Sequence, residues 1–197
     1  MTALRSRLHA PVEAVVVGAS AGGIDALLQL FEGLGPPRSA AVVTVLHLPD
    51  DHDSRLAEVL AVRLGPHVTE ALPGAPVALG HHYIAPPGYH LLVEQDRTFA
   101  LSCDPPVLFS RPSIDVLMES CADAWGPSLA GLVLTGASED GARGLAAIKA
   151  AGGLALVQDP AGAAFATMPR AAIAAAAPDA VLPLSGLRDL LSNLLNR

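Results

Sequence analysis

The sequence predicts an α/β fold: a doubly wound, mostly parallel sheet with helices on both faces and a small β-meander or hairpin insertion. Three observations carry this expectation. Near-continuous apolar runs recur at 13–17 (EAVVV), 41–47 (AVVTVLH), 129–134 (LAGLVL) and 154–158 (LALVQ). Helical patterns lie between most of these runs, and that alternation is the mark of parallel strands buried on both faces. Hydrophobic residues make up 51% and charged residues 16% of the 197 positions, too apolar for disorder and enough for one substantial core. Without a linker or a break in composition, 1–197 reads as a single domain.

Each element has its own signal. The first strand ends at Gly18, and a helix is expected from about Gly22 with Ile24, Leu27, Leu28 and Phe31 on one face. The strand at 41–47 is followed by Pro49 and a helix around 53–64. Weaker strand signals at 67–79 are broken by Pro73, Gly74 and Pro76, and 81–102 alternates short strands and turns as a meander or hairpin does. Ser113 is placed to cap a helix over IDVLMESCADAW. GARGLAAIKAAGG reads as a helix with a glycine stop. MPRAAIAAAA carries Pro169 in its first turn, and 186–195 closes the chain as an amphipathic helix.

Composition excludes several function classes. The formal charge is −7, Lys and Arg total 12, and no basic run occurs, so nucleic acid and anionic membranes are not expected partners. The N-terminal MTALRSRLHAPVEA lacks the apolar core of a signal peptide, and the apolar runs fall short of the roughly 18 residues of a spanning helix. Cys103 and Cys121 form no framework and are expected to be buried thiols in a reducing compartment, which places the chain in the cytoplasm.

Gly18-Ala19-Ser20-Ala21-Gly22 matches G-x-S-x-G between a strand and a helix. Such a turn lifts a serine hydroxyl off the sheet edge, and the helix behind it offers free N–H groups to a developing oxyanion. Two plainer readings compete: Ser20 as a helix cap, and a degenerate dinucleotide turn with serine in place of the middle glycine. His47 breaks the tie. A dinucleotide turn expects an acid at the end of the second strand to hold a ribose. An imidazole there is suited instead to take the proton of a serine one strand over. Asp140, after the strand LAGLVL, can fix the histidine tautomer. Glu139 is a rival acid and Ser138 a rival nucleophile. His81, His82 and His90 have no ligand set of metal spacing and are expected at the surface or behind the site. Arg111 is expected to be a solvated surface group, with contact to an acidic substrate group as the alternative.

Taken together, these motifs resemble the CheB-type protein-glutamate methylesterases, the chemotaxis-receptor methylesterase family. The resemblance runs through VVVGASAGGIDAL, VLHLP, HYIAPPGYHL, RPSIDVLMESCADAWG, GLVLTGASEDGARGL and GGLALVQDPAGAAFATMPRAAI. It implies a serine hydrolase acting on γ-glutamyl methyl esters of chemoreceptors, or of receptor-like helical proteins, with release of methanol and some glutamine deamidation. It places the triad on Ser20, His47 and Asp140, in an order unlike the Ser…Asp…His of α/β-hydrolases. Backbone N–H groups of Ala21 and Ala137 would hold the oxyanion. No metal or organic cofactor is called for, and a monomer is expected. Ala21 and Ile24 stand where the family usually has threonine and proline, and Thr135-Gly136-Ala137-Ser138 where T-G-M-G is usual. Many members carry an N-terminal receiver domain; this chain starts almost at the first catalytic strand, so control by its own phosphorylation is not expected. An esterase of the same fold acting on another ester, or a non-catalytic docking module, remains the alternative.

Overall fold

β1 (Ala14–Ala19) and β2 (Ala41–Leu46) are buried along their whole length, as runs without a polar face must be. The computed structural model describes residues 11–47 and 55–196. α1 (Gly23–Phe31) joins these two strands, and α2 (Leu56–Leu64), β3 (Val68–Glu70) and β4 (His82–Ile84) follow. β5 (His90–Val93) and β6 (Phe99–Ser102) precede α3 (Ile114–Trp125), β7 (Leu129–Val133), α4 (Ala142–Ala150) and β8 (Leu154–Gln158). α5 (Thr167–Ala176), β9 (Ala180–Leu182) and α6 (Leu184–Leu195) complete the order.

Seven strands form one parallel sheet in the order β3-β4-β2-β1-β7-β8-β9, and β5 and β6 form a separate antiparallel hairpin. Helices cover both faces. One core packs Leu27 and Leu30 of α1, Leu60 of α2 and Leu187 and Leu191 of α6 against the sheet. The other packs Ile114, Leu117 and Met118 of α3, Leu145 of α4, Met168 of α5 and Phe99 of the hairpin. The expected doubly wound fold with a hairpin insertion is therefore present.

Four local expectations need correction. β4 leaves the supposed meander and pairs in parallel with β2 and β3, a long-range pairing that a three-residue segment does not announce. Ile24 is 38% exposed and Leu28 only partly buried; the inward face of α1 is Ala26, Leu27, Leu30 and Phe31. The helix starts with Gly23 tight against Leu46 and Ala19, which turns the next residue outward over the sheet edge. Cys103, just past the edge hairpin, is exposed, whereas Cys121 is buried. The helix expected around 53–64 begins at Leu56, and 53–54 lie outside the described residues. Among the described residues no helix is long and apolar enough to cross a membrane.

The chain runs from β1 to β2 on one side and places β7 on the other side of β1, so the strand order reverses at β1. In open parallel sheets the crevice at such a reversal, beyond the carboxyl ends, is where ligands bind. The register brings Ala19 opposite Leu46 and Gly18 opposite Val133. The residues that follow, Ser20, His47 and the 134–140 turn, therefore emerge together at one edge.

Candidate active site

Ser20 is held by its backbone. Its N–H donates to Thr135 O at 3.0 Å, and its carbonyl accepts from Gly23 N at 2.8 Å. Thr135 in turn donates its hydroxyl to Ala21 O at 2.9 Å and its N–H to Gln158 Oε1 at 2.8 Å, tying the ends of β1, β7 and β8 together. Gly22 takes a left-handed backbone at φ 76 and is the N-cap of α1, with no side-chain capping bond. Ser20 is thus not the helix cap. Among the described residues, the N–H groups of Ala21 and Ala137 donate to no backbone carbonyl.

His47 follows β2, with its own N–H bonded to Ala19 O at 3.0 Å. Its side chain is 9% exposed. Nε2 lies 2.8 Å from Asp140 Oδ2, and Nδ1 lies 3.3 Å from Ser110 Oγ. An ionised Asp140 can only accept, so Nε2 carries the proton and Nδ1 presents its lone pair. Ser110 then donates to Nδ1. Among the described residues Ser20 Oγ makes no hydrogen bond to the ring.

Asp140 is fully buried, and both of its oxygens are satisfied. Oδ1 accepts from Ser113 Oγ at 2.9 Å and from Asp115 N at 2.9 Å. Oδ2 accepts from Ile114 N at 2.7 Å as well as from His47. Two of these donors are free N–H groups at the start of α3, where the helix dipole favours an anion. The close approach needs Gly18: a Cβ there would lie 2.3 Å from Ile114 Cγ2. Burial works to raise the Asp140 pKa, but the His47 bond and the N–H groups of Asp115 and Ile114 outweigh it and hold it below the ordinary carboxylate value.

The arrangement is reciprocal. Asp115, in the first turn of α3, accepts from Gly141 N at 2.9 Å and Gly144 N at 2.7 Å at the start of α4. Each helix start is thus capped by an acid from the other. Burial and the nearby Asp140 charge push the Asp115 pKa above its ordinary value, against the N–H donors and Arg143.

The rival groups have other roles. Glu139 is exposed. Ser138 Oγ accepts from Asp140 N at 3.1 Å and so fixes the turn that aims the acid. Arg111 is not freely solvated; it donates to the carbonyls of Cys103 and Asp104 at 3.0 and 3.2 Å, and among the described residues it pairs with no acid. His81 is exposed, but His82 and His90 are buried rather than superficial. His90 stands behind the site, accepting from Ser113 N through Nδ1 at 3.1 Å while Nε2 meets Pro105 O at 3.2 Å. His82 meets Thr44 Oγ1 at 2.8 Å inside the sheet, and burial lowers its pKa to about 3.

The structure therefore gathers Ser20, His47 and Asp140 at the carboxyl ends of β1, β2 and β7. Ser20 and His47 line an open cavity of about 420 Å³ together with Ala21, Ile24, Asp25 and Leu46. Among the described residues no three His, Cys, Asp or Glu side chains are grouped to hold a metal ion. The family model for CheB methylesterase matches residues 15–191. The chain belongs to the CheB methylesterase family. The crystal structure of the CheB methylesterase catalytic domain from Thermotoga maritima superposes with a TM-score of 0.86 at 28% identity, covering 94% of this chain and 100% of that one. The protein-glutamate methylesterase/protein-glutamine glutaminase of Symbiobacterium thermophilum is 39% identical over 142 residues, 72% of this chain and 39% of that protein. A relative from Leptospira interrogans is 43% identical over 140 residues, 71% of this chain and 72% of the relative. The chain thus matches most of the short relative and about two-fifths of the longer one.

Within this CheB-family site, sequence reasoning missed Asp115, Thr135, Gln158 and Ser110. An acid in the first turn of a capped helix was a usable signal for Asp115. Ser110 gave none, because it acts across 63 positions of chain.

Proposed function

We propose that this chain is a protein-glutamate methylesterase that hydrolyses γ-glutamyl methyl esters on the cytoplasmic helices of a chemoreceptor, with Ser20 as nucleophile, His47 as base and Asp140 as orienting acid. The observation that carries this reading is the 2.8 Å bond between His47 Nε2 and a buried, ionised Asp140, beside a cavity that His47 shares with Ser20. That bond leaves Nδ1 as the lone pair available to a hydroxyl.

In the proposed reaction Nδ1 takes the Ser20 proton as Oγ attacks the ester carbonyl. The oxyanion is received by N–H groups of Ala21 and Ala137, which donate to no backbone carbonyl among the described residues. Collapse expels methoxide, which takes the proton back from His47 and leaves as methanol. Water then hydrolyses the acyl-enzyme by the same route, restoring Ser20 and a glutamate. A glutamine side chain passes through the same steps with ammonia as leaving group. The cavity is open, which suits a side chain displayed on a protein surface better than a small molecule enclosed on all sides. The cytoplasm is the compartment this substrate requires.

The test is release of methanol from membranes carrying a methylated chemoreceptor. Wild type is expected to release it and Ser20→Ala to release none. Equal release by both removes Ser20 from the reaction.

A further inference from the structure

Residues 107–110 form a minimal hairpin. Val107 and Ser110 exchange both backbone hydrogen bonds, at 3.1 and 2.9 Å, leaving Leu108 and Phe109 as a two-residue tip. Both tip residues have positive φ, 47 and 65. That is the type I′ geometry, which favours Asn-Gly and penalises a branched or aromatic side chain. Here it is occupied by leucine and phenylalanine: Phe109 is 101% exposed, and Leu108, 49% exposed, borders a cavity beside Asp115 and Ala142. Neither packing nor turn chemistry accounts for Phe109. The next residue, Ser110, donates to His47 Nδ1, the lone pair that the proposed mechanism reserves for the Ser20 proton.

We propose that this hairpin is a latch on His47 that a protein substrate releases. Ser110 is a positioning residue that competes with Ser20 for Nδ1 in the resting site. The apolar tip is where the helix bearing the glutamyl ester makes contact and draws Ser110 away. The occupant is the substrate because the tip and the base are joined through one residue. Other exposed apolar groups lie beside the same crevice: Ile24 lines the Ser20 cavity, and Phe165 is bonded through its backbone to Thr135 and Gly136. Apolar side chains that flank an ester on an amphipathic helix match such a rim. The proposal rests on the triad reading given above.

The test uses the whole chain and a small fluorophosphonate, which phosphonylates an activated serine with loss of fluoride and without needing to touch the tip. Ser110→Ala is expected to speed labelling of Ser20 about fivefold, the scale of one neutral hydrogen bond, and Ser110→Thr to restore the wild-type rate. A merely structural Ser110 would slow labelling when removed, so an equal or lower rate in Ser110→Ala overturns the latch. The second variant, Leu108→Asn with Phe109→Gly, keeps a good turn and removes the apolar tip. Its ratio of methylated-receptor hydrolysis to probe labelling is expected to fall at least tenfold. An unchanged ratio overturns the tip as a substrate contact. Absence of Ser20 labelling in the wild type and in Ser110→Ala alike overturns the triad, and the latch with it.

Discussion

His47 Nε2 faces a carboxylate that is fully buried and takes four hydrogen bonds, whereas Nδ1 faces one hydroxyl at 3.3 Å on a hairpin with a solvent-exposed tip. The acid side is fixed by two helix starts, two cross-capping acids and a glycine that lets α3 approach β1. The other side is only part-buried and rests on one contact among the described residues. An orienting group must not move, so rigidity belongs on the Asp140 side. A base that must exchange one hydroxyl for another needs a partner that is easily given up.

Substitutions on the rigid side should cost most. Asp140→Asn is expected to lower the catalytic constant strongly, by about 10⁴-fold on the scale of a serine-protease triad, while Glu139→Gln changes it little. Steady-state turnover of both, with circular dichroism to confirm folding, checks this. The reverse ranking would place the wrong acid beside His47. Asp115→Ala leaves two buried N–H groups at the start of α4 without their acceptor, and a loss of about 2 kcal/mol in stability is expected by urea denaturation. A loss under about 0.5 kcal/mol would mean that the cross-capping is ornamental.

Acid pH probes the sheet first and the site only at its lower end. His82 stays neutral in the folded chain down to about pH 3, but in the unfolded chain it binds a proton below about 6.5. The unfolded state therefore binds more protons in that interval, and stability falls with falling pH by up to about 1.4 kcal/mol per unit. Asp140 has the opposite origin and a lower window. Its depressed pKa contributes stability above the unfolded carboxylate range, and this is lost only as pH falls through that range toward the folded value. His82→Asn should thus flatten the stability curve from about pH 6.5 down to about 3, most cleanly between 6.5 and 5, above the range in which carboxylates titrate. An unaltered slope between 6.5 and 5 would show that another group carries the acid sensitivity.

The smallest effect is expected on the open side, and it has the opposite sign. Phe109→Gly removes a side chain from a left-handed backbone position and should raise stability by about 1 kcal/mol, measured by the same denaturation. Destabilisation would show that the exposed ring is held by contacts within the fold.

The same division governs what could be read from the sequence. The gathering of Ser20, His47 and Asp140 at one edge was legible because Ser20 and His47 directly follow long apolar strands and Asp140 lies in the turn after a third; the choice of Asp140 over Glu139 came from the family resemblance. β4 and β9 were not, since three residues carry no period and Val181 of β9 is itself exposed. Ile24 was assigned inward by helical spacing, but the tight seat of Gly23 turns it to the crevice instead. Asp115 was hidden because its partners lie 26 and 29 positions away on another helix. Ser110 was hidden by its setting: Leu-Phe is a poor type I′ turn by local rules, and the departure has meaning only once the tip is seen beside His47.

Four serine hydroxyls lie near the acid–base pair: Ser20 on the β1 turn, Ser110 on Nδ1, Ser113 on Asp140 Oδ1 and Ser138 on the Asp140 turn. The most direct test of the central claim is to react the chain with a fluorophosphonate and map the adduct by peptide mass spectrometry. The account predicts a single adduct on Ser20, abolished by His47→Ala. An adduct on Ser110 or Ser138, or labelling of Ser20 that survives loss of His47, would contradict it.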